Sequence, residues 1–276
     1  MANGMSPKRQ ARGKLTLQNI SWTNASALTI TQAMMTSAAP DTEPADCIAV
    51  IVAAGIGNRA GPSPHHDTTQ RGSDHKLEKQ FWPLAGKLVL AHSVEVFLTH
   101  PGVRTIIIVT ASHNLDRVKL QFCQPNCYII AGGATRQQSV YAGLKAATEI
   151  DPTARFVAIH DAARPLLPPD LLSTMLATIS DEVAGVAPAL PLADTLSCIN
   201  AQKMIDRVID RAPMRALQTP QLFWRGLITD LHMHYADDAN FTDDCGLALA
   251  AGHAIATVTG THQLLKLTQP QDYAML

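Results

Sequence analysis

Residues 47–59 read CIAVIVAAGIGNR and join a short apolar run to a glycine-rich turn. The run IAVIV is rich in β-branched residues, which is typical of a parallel strand that is buried on both faces of a sheet. It ends at Ala53, Ala54 and Gly55, whose small size allows a backbone to approach a nucleotide closely. Arg59 then adds a fixed cation where phosphates would lie. The stretch predicts a buried strand followed by a loop that binds a phosphate-bearing ligand.

The glycines also fit a second interpretation, the opening turn of a dinucleotide-binding unit. Gly55 and Gly57 begin a spacing close to that of the dinucleotide fingerprint, but the fingerprint requires a tight turn that leads directly into a helix. Here Pro62 and Pro64 follow, and no regular pattern begins before about Phe81. Two prolines so close together argue for a long open loop. An NADP-binding oxidoreductase is therefore the distant alternative.

Composition sets limits on the class of protein. With 276 residues, 46% of them hydrophobic, the chain is long enough to bury a substantial core in one domain. Its net charge of -1 offers nucleic acid no overall attraction, and no apolar run approaches the length of a membrane span, so neither partner is predicted. The five cysteines contain no CxxC pair, which favours buried, reduced thiols over disulfides or structural zinc.

Residues 1–45 differ in composition from the remainder, 46–276, which we predict to be the functional domain. They are rich in Ser, Thr and Ala, and they contain no acidic residue before Asp41. This composition predicts a disordered tail, or a start codon placed before the true one, in a cytoplasmic protein. The alternative is a transit peptide for a plastid-type organelle, because such peptides are also poor in acidic residues.

Strand and helix patterns alternate after the first strand. Such an order predicts an α/β fold, Rossmann-like, with a mostly parallel sheet, helices on both faces and ligands at the carboxyl ends of the strands. The predicted strands are 47–53, 105–110, 128–131, 156–160 and 183–189, and the clearest helices are 89–99, 135–148 and 169–180. The pattern breaks down over about 191–222, where two short separated strands predict a protruding hairpin arm. An arm of this size favours contact with another subunit.

The loops after the later strands carry polar residues at this edge. Gly132 and Gly133 permit a close turn after the third strand, and Arg136 and Ser139 are then expected to face the crevice. Asp161 follows the fourth strand, where a carboxylate is suited to a metal ion or a ribose.

Nine short motifs, in this order along the chain, resemble one family. They are AAGIGNR (53–59), KQF (79–81), GGATRQQSV (132–140), HDAARP (160–165), DT (194–195), DR (210–211), TPQLF (219–223), TDD (242–244) and KLT (266–268). Together they resemble the 2-C-methyl-D-erythritol 4-phosphate cytidylyltransferases of non-mevalonate isoprenoid biosynthesis. The resemblance implies CTP and methylerythritol phosphate as substrates, Mg²⁺ as the cofactor, and a homodimer formed through the arm.

The same resemblance implies a role for each matched residue. The implied catalytic cations are Arg59, Lys79, Arg211 and Lys266. The implied nucleotide-binding residues are Ala53, Ala54, Gly55, Gly133, Ser139, Asp161 and Ala162, with Asp161 also at the metal. The implied residues of the sugar-phosphate pocket are Arg164, Thr195, Arg211, Thr219 and Asp243.

Several alternatives stay open at this point. Glu78 precedes the lysine where the family commonly has proline, and Lys76 competes with Lys79 for the catalytic position. Asp243 fits a helix N-terminus as well as a substrate hydroxyl. His232 and His234 fall on different faces of a helix, which predicts surface residues and not a ligand pair.

Two other functions also stay open. A related cytidylyltransferase acting on another polyol phosphate, such as ribitol 5-phosphate, would share the CTP contacts. A non-catalytic nucleotide sensor would bind CTP without turnover.

Overall fold

The computed structural model describes residues 46–55, 78–238 and 241–276. The predicted tail at 1–45, Arg59, Lys76 and the predicted loop segment with Pro62 and Pro64 lie outside the described residues.

Twelve strands and seven α-helices form the described part of the chain. The strands are β1 (Cys47–Ala53), β2 (Pro83–Leu84), β3 (Lys87–Leu88), β4 (Val103–Thr110), β5 (Cys127–Ala131), β6 (Phe156–Asp161), β7 (Gly185–Pro191), β8 (Leu196–Ile199), β9 (Ile205–Ile209), β10 (Arg215–Leu217), β11 (Gln221–Trp224) and β12 (Ile255–Thr259). The helices are α1 (Val89–Thr99), α2 (Leu115–Gln121), α3 (Arg136–Ile150), α4 (Pro169–Thr178), α5 (Arg225–His234), α6 (Asp244–Ala250) and α7 (Pro270–Tyr273). Single 3₁₀ turns occur at Lys79–Phe81, Ser112–Asn114 and His262–Leu264.

Eight of the strands form one central sheet. From one edge, β5, β4, β1 and β6 are parallel neighbours. β11 is antiparallel to both β6 and β7. β10 is antiparallel to the carboxyl-terminal end of β7. β12 runs parallel to β7 and completes the sheet. The predicted α/β class with a mostly parallel sheet is confirmed.

Most of the described core forms two layers, one on each face of the sheet, and a smaller cluster lies around Trp82. Ala49 and Ile51 of β1 belong to the layer that contains residues of α1, α2 and α4. Ile48 and Val50 belong to the opposite layer, with residues of α3, α5 and α6. Because successive side chains of a strand point to opposite faces, the unbroken apolar run of β1 can serve both layers.

Within about 191–222, where an arm is predicted, β8 and β9 form a hairpin. β8 and β9 pair only with each other among the described strands, and from β10 onward the chain pairs again with the main sheet. Ile205 and Val208 on β9 are 70% and 65% exposed. The hairpin thus presents apolar side chains to solvent.

The cysteine prediction is right about pairing and only partly right about burial. All five thiols are free, but Cys123 is exposed and only Cys47 and Cys245 are buried. Burial raises the pKa of the Cys47 thiol to about 12. Among the described helices, none has the length and apolar character of a membrane span.

Candidate active site

A cavity of about 970 Å³ lies where the parallel strands end at their carboxyl ends. Its walls come from the loops after β1, β4, β5 and β6, from the 3₁₀ turn at Lys79–Phe81 and from the segment that precedes α7. Most of the residues predicted for the nucleotide and for catalysis line it: Ala53, Ala54, Gly55, Lys79, Gly133, Ser139, Asp161, Ala162 and Lys266. The structure therefore brings these residues together at the carboxyl ends of the strands.

Asp161 is held between two cations in the cavity wall. Its Oδ1 accepts a hydrogen bond from Arg136 Nε at 3.1 Å, and its Oδ2 accepts one from Lys266 Nζ at 2.6 Å. Burial alone would raise the pKa of this carboxyl, but Arg136 and Lys266 outweigh it and hold the pKa well below its usual range. Asp161 is therefore an anion near neutral pH.

Arg136 extends this charge network into the protein interior. Its Nη2 donates to Asp244 Oδ2 at 3.0 Å, and Asp244 Oδ1 lies 3.0 Å from His232 Nε2. Burial would lower the pKa of Arg136, but the carboxylates of Asp244 and Asp161 raise it, so the guanidinium stays charged. The prediction that His232 is a surface residue is wrong, because its ring is buried against Asp244.

Lys79 reaches the cavity from the first position of the 3₁₀ turn. Its Nζ donates to the carbonyl of Leu267 at 2.6 Å, so the ammonium lies beside the segment that carries Lys266. The following residue, Gln80, is buried, and its Nε2 donates to the carbonyl of Ala53 at 2.9 Å. The turn is thereby joined to the end of β1.

The glycine-rich loop after β5 is shaped by Ser139. The Ser139 hydroxyl accepts a hydrogen bond from Gly133 N at 3.1 Å and donates one to the carbonyl of Thr135 at 2.9 Å. Thr135 caps α3 through the backbone N–H of Gln138, as its position predicts. A Cβ at Gly133 would lie 2.4 Å from the Cβ of Gln138, so a side chain there would displace the loop. Ser139 holds the cavity wall as well as lining it.

Two predicted pocket residues lie beneath the wall and not among its lining residues. The Thr219 hydroxyl accepts a hydrogen bond from the backbone N–H of Asp161 at 3.0 Å and lies 3.2 Å from His160 Nδ1. Arg164 donates from Nη1 to the carbonyl of Leu264 at 2.5 Å, while its Nε is buried without a hydrogen-bond partner. Thr219 thus supports Asp161 from behind.

Asp243 has the helix-terminal position that the sequence allowed. It is the N-cap of α6, where its Oδ1 accepts from Gly246 N at 2.9 Å, and its Oδ2 accepts from Gln221 Nε2 at 2.8 Å. It does not line the cavity.

Thr195 and Arg211 are not brought to the cavity. Thr195 lies just before β8 and Arg211 just after β9, both are exposed, and neither is among the lining residues. The described chain therefore assembles the nucleotide side of the predicted site and leaves these two residues outside it.

A divalent cation such as Mg²⁺ would take oxygen ligands from the wall of this cavity. Among the described residues, no group of three or more His, Cys, Asp and Glu side chains could hold a metal by itself. Asp161 is the one carboxylate in the described wall of the cavity. Mg²⁺ is commonly bound by one or two carboxylates together with substrate phosphates, and a single aspartate fits that mode.

Sequence reasoning missed the residues behind this wall. The contacts of Asp244 and His232 join α3, α5 and α6, which are far apart in the chain. Two signals were present: Asp244 in the first turn of α6, and Arg136 at the start of α3.

Comparison with known proteins gives consistent matches. The sequence model of the 2-C-methyl-D-erythritol 4-phosphate cytidylyltransferase family matches residues 47–276. The chain is 37% identical over 229 residues to a bifunctional enzyme IspD/IspF of Rhodopseudomonas palustris (strain ATCC BAA-98 / CGA009), covering 82% of this chain and 54% of that protein. It is 34% identical over 227 residues to a 2-C-methyl-D-erythritol 4-phosphate cytidylyltransferase of Frankia casuarinae, covering 82% and 78%.

Solved structures show the same likeness. A crystal structure of a 4-diphosphocytidyl-2C-methyl-D-erythritol synthase matches with a TM-score of 0.67 and 28% identity, covering 84% of this chain and 97% of that one. Against the bifunctional relatives, the chain spans about half of their length.

Proposed function

The chain belongs to the 2-C-methyl-D-erythritol 4-phosphate cytidylyltransferase family, and on that premise we propose that it transfers CMP from CTP to methylerythritol phosphate. The products are 4-diphosphocytidyl-methylerythritol and pyrophosphate. The observation that carries the proposal is the cavity wall, in which Lys266 and Arg136 bind the anionic Asp161 and Lys79 donates to the carbonyl of Leu267, the residue after Lys266. The bacterial relatives support a cytoplasmic reaction.

The chemistry requires positioned cations more than a base. The acceptor phosphate is already an anion, so no general base is needed to make it nucleophilic. Its oxygen forms a bond to the α-phosphorus of CTP as the bond from that phosphorus to the leaving pyrophosphate breaks. Negative charge rises on the phosphoryl oxygens and the leaving group, where cations held in place lower the barrier. We assign this role to Lys79, with Arg59 as its partner.

We propose that Asp161, together with substrate phosphates, holds Mg²⁺. The ion would supply a Lewis acid that neutralises phosphate charge. Lys266 and Arg136 each donate to one oxygen of Asp161, and each oxygen keeps a further lone pair that could bind the ion. The two cationic side chains keep the carboxylate ionised and oriented toward the cavity.

Recognition of the nucleotide follows from the small residues of the wall. Ala53, Ala54 and Gly55 at the end of β1, and Gly133 after β5, give the base and ribose close access to the backbone. Ala162 contributes from the loop after β6, and Ser139 fixes the glycine loop.

The acceptor side would be completed by a second subunit. Thr195 and Arg211 flank the β8–β9 hairpin, and we propose that the hairpin delivers them to the cavity of the partner in a homodimer. The exposed apolar side chains of β9 favour burial at such an interface. Arg164, Thr219 and Asp243 hydrogen-bond to other residues of the protein and do not line the cavity. We therefore assign them to the support of the acceptor pocket and not to direct contact with the acceptor.

Pyrophosphate release from purified protein with CTP and Mg²⁺ tests the proposal. Methylerythritol phosphate should give release, ribitol 5-phosphate should give far less, and chelation of the cation with EDTA should stop the reaction until Mg²⁺ is restored. Release with ribitol 5-phosphate alone would instead identify a cytidylyltransferase for a different polyol phosphate. CTP binding without release from either acceptor would point to a sensor.

A further inference from the structure

Glu78 is the first described residue before the 3₁₀ turn that carries Lys79, and its carboxylate faces protein donors. Its side chain is only 12% exposed, and it is not among the residues that line the cavity. A carboxylate next to a site for a polyanion would oppose binding unless its charge were directed elsewhere. The contacts of Glu78 show where it is directed.

The Glu78 carboxylate joins the lysine turn to the loop after β4. Asn114 Nδ2 donates to both of its oxygens at 3.1 Å, and His113 Nε2 lies 2.7 Å from its Oε1. Asn114 is itself buried, whereas His113 lines the cavity. One side chain thus connects two separate walls of the site.

A second connection is made through Gln80. Its Nε2 donates to Glu78 Oε2 and also to the carbonyls of Ala53 and Gly55, at 2.9 and 3.3 Å. Lys79 therefore lies between two residues whose side chains are fixed, one to the loop after β4 and one to the end of β1. The backbone N–H of Phe81 donates to the carbonyl of Glu78 at 2.9 Å and closes the turn.

From these contacts we propose that Glu78 is a positioning residue, which sets the place of the Lys79 ammonium and of the β4 loop relative to the end of β1. The proposal rests on the proposed function only in naming the reaction that this placement serves. A misplacement of about 1 Å in a catalytic group can cost up to roughly 10²-fold in rate. Loss of Glu78 should therefore lower kcat even though Glu78 does not touch the nucleotide.

The test compares wild type with Glu78→Ala, Asn114→Ala and the double variant. Each single change should lower kcat about tenfold, with a smaller change in the Kd for CTP, because the cavity lining is left intact. The double variant should be no slower than Glu78→Ala, since both changes break the same connection. Glu95→Ala is the matched control, because it removes an exposed pairing with Lys87 and should leave kcat unchanged.

A readout independent of turnover separates this proposal from the proposed function. Lysine labelling by trinitrobenzenesulfonate, followed by mass spectrometry, should show that Lys79 in the Glu78→Ala variant reacts about threefold faster or more, as local opening exposes the amine. Lys87 provides the internal reference. Faster labelling of Lys79 supports the proposal even if wild type shows no pyrophosphate release, a result that would count only against the function.

Three results would overturn it. These are an unchanged labelling rate at Lys79, a Glu78→Ala enzyme with wild-type kcat, or a double variant whose loss is the product of the two single losses. If the Glu78→Ala enzyme keeps the wild-type kcat per folded molecule and only its thermal midpoint falls, the role of Glu78 is purely structural.

Discussion

Asp161 in the cavity wall and the candidate residues at the β8–β9 hairpin lie in opposite environments. Asp161 is 7% exposed and has a cation on each oxygen, whereas Thr195 and Arg211 at the hairpin are exposed. Burial and pairing fix the orientation of the first group before any ligand arrives. The exposed pair can be oriented only by something that covers it. Under the proposed function, one chain builds the nucleotide side of the site, and the acceptor side depends on a second surface that covers the hairpin.

The largest effect is expected on the ordered side of this comparison. Lys79→Ala removes a positioned cation, so kcat should fall about 10²- to 10³-fold, or about 3 to 4 kcal/mol in transition-state stabilisation. The thermal midpoint should fall much less than kcat, because Lys79 lies in a single 3₁₀ turn at the cavity wall and not in the buried core. Lys87→Ala, at an exposed pair with Glu95, is the control. A wild-type rate in Lys79→Ala would remove Lys79 from the mechanism.

The second effect concerns the stability of the buried side. Burial lowers the pKa of His160 from 6.5 to about 4 in the folded protein, although Asp161 partly opposes this. Between pH 6.5 and about 4, His160 is therefore protonated in the unfolded chain and neutral in the folded chain. This group should lower the free energy of unfolding by about 3 kcal/mol as the pH falls from 6.5 to 4, with little further change below.

Urea unfolding of wild type and His160→Gln across this pH range measures the contribution. The variant should show a weaker pH dependence, and His234→Gln, at an exposed position, should retain that of wild type. Identical pH profiles for His160→Gln and wild type would contradict the buried neutral ring.

The smallest of the three effects is expected at the hairpin. Arg211→Ala should lower kcat/KM for the acceptor about tenfold, or about 1.4 kcal/mol, while the Kd for CTP stays unchanged. Arg207→Ala, an exposed arginine on the same hairpin, serves as the matched control. Steady-state kinetics at varied acceptor concentration measure kcat/KM, and calorimetry measures the Kd for CTP. A weaker CTP affinity in Arg211→Ala would show that Arg211 contributes to nucleotide binding, which would contradict its assignment to the acceptor side.

Much of the fold could be predicted because its decisive signals are local. β1 and α1 begin and end where their apolar patterns begin and end. β10, β11 and β12 have three to five residues each, and their pairing with β7 is visible only in the folded sheet. Short strands of this kind carry too little periodicity to be assigned from sequence.

The candidate site likewise contains residues that the sequence locates and residues whose roles depend on contacts between distant parts of the chain. Asp161 and Lys79 could be placed because strand ends and motif positions locate them. The burial of His232 could not, because it depends on Asp244, which reaches it from another helix. The role of Thr219 beneath Asp161 likewise arises from a contact between β6 and the segment before β11.

The central claim is that a hairpin from one subunit completes the cavity of another, and mixed dimers test it most directly. Lys79→Ala and the double variant Thr195→Ala/Arg211→Ala would be co-expressed with different tags, and the heterodimer purified through both. In a two-fold dimer it contains one site with neither defect, so its activity should be roughly half that of wild type, well above either parent. A heterodimer no more active than the mean of its parents, or the absence of any dimer, would contradict the account.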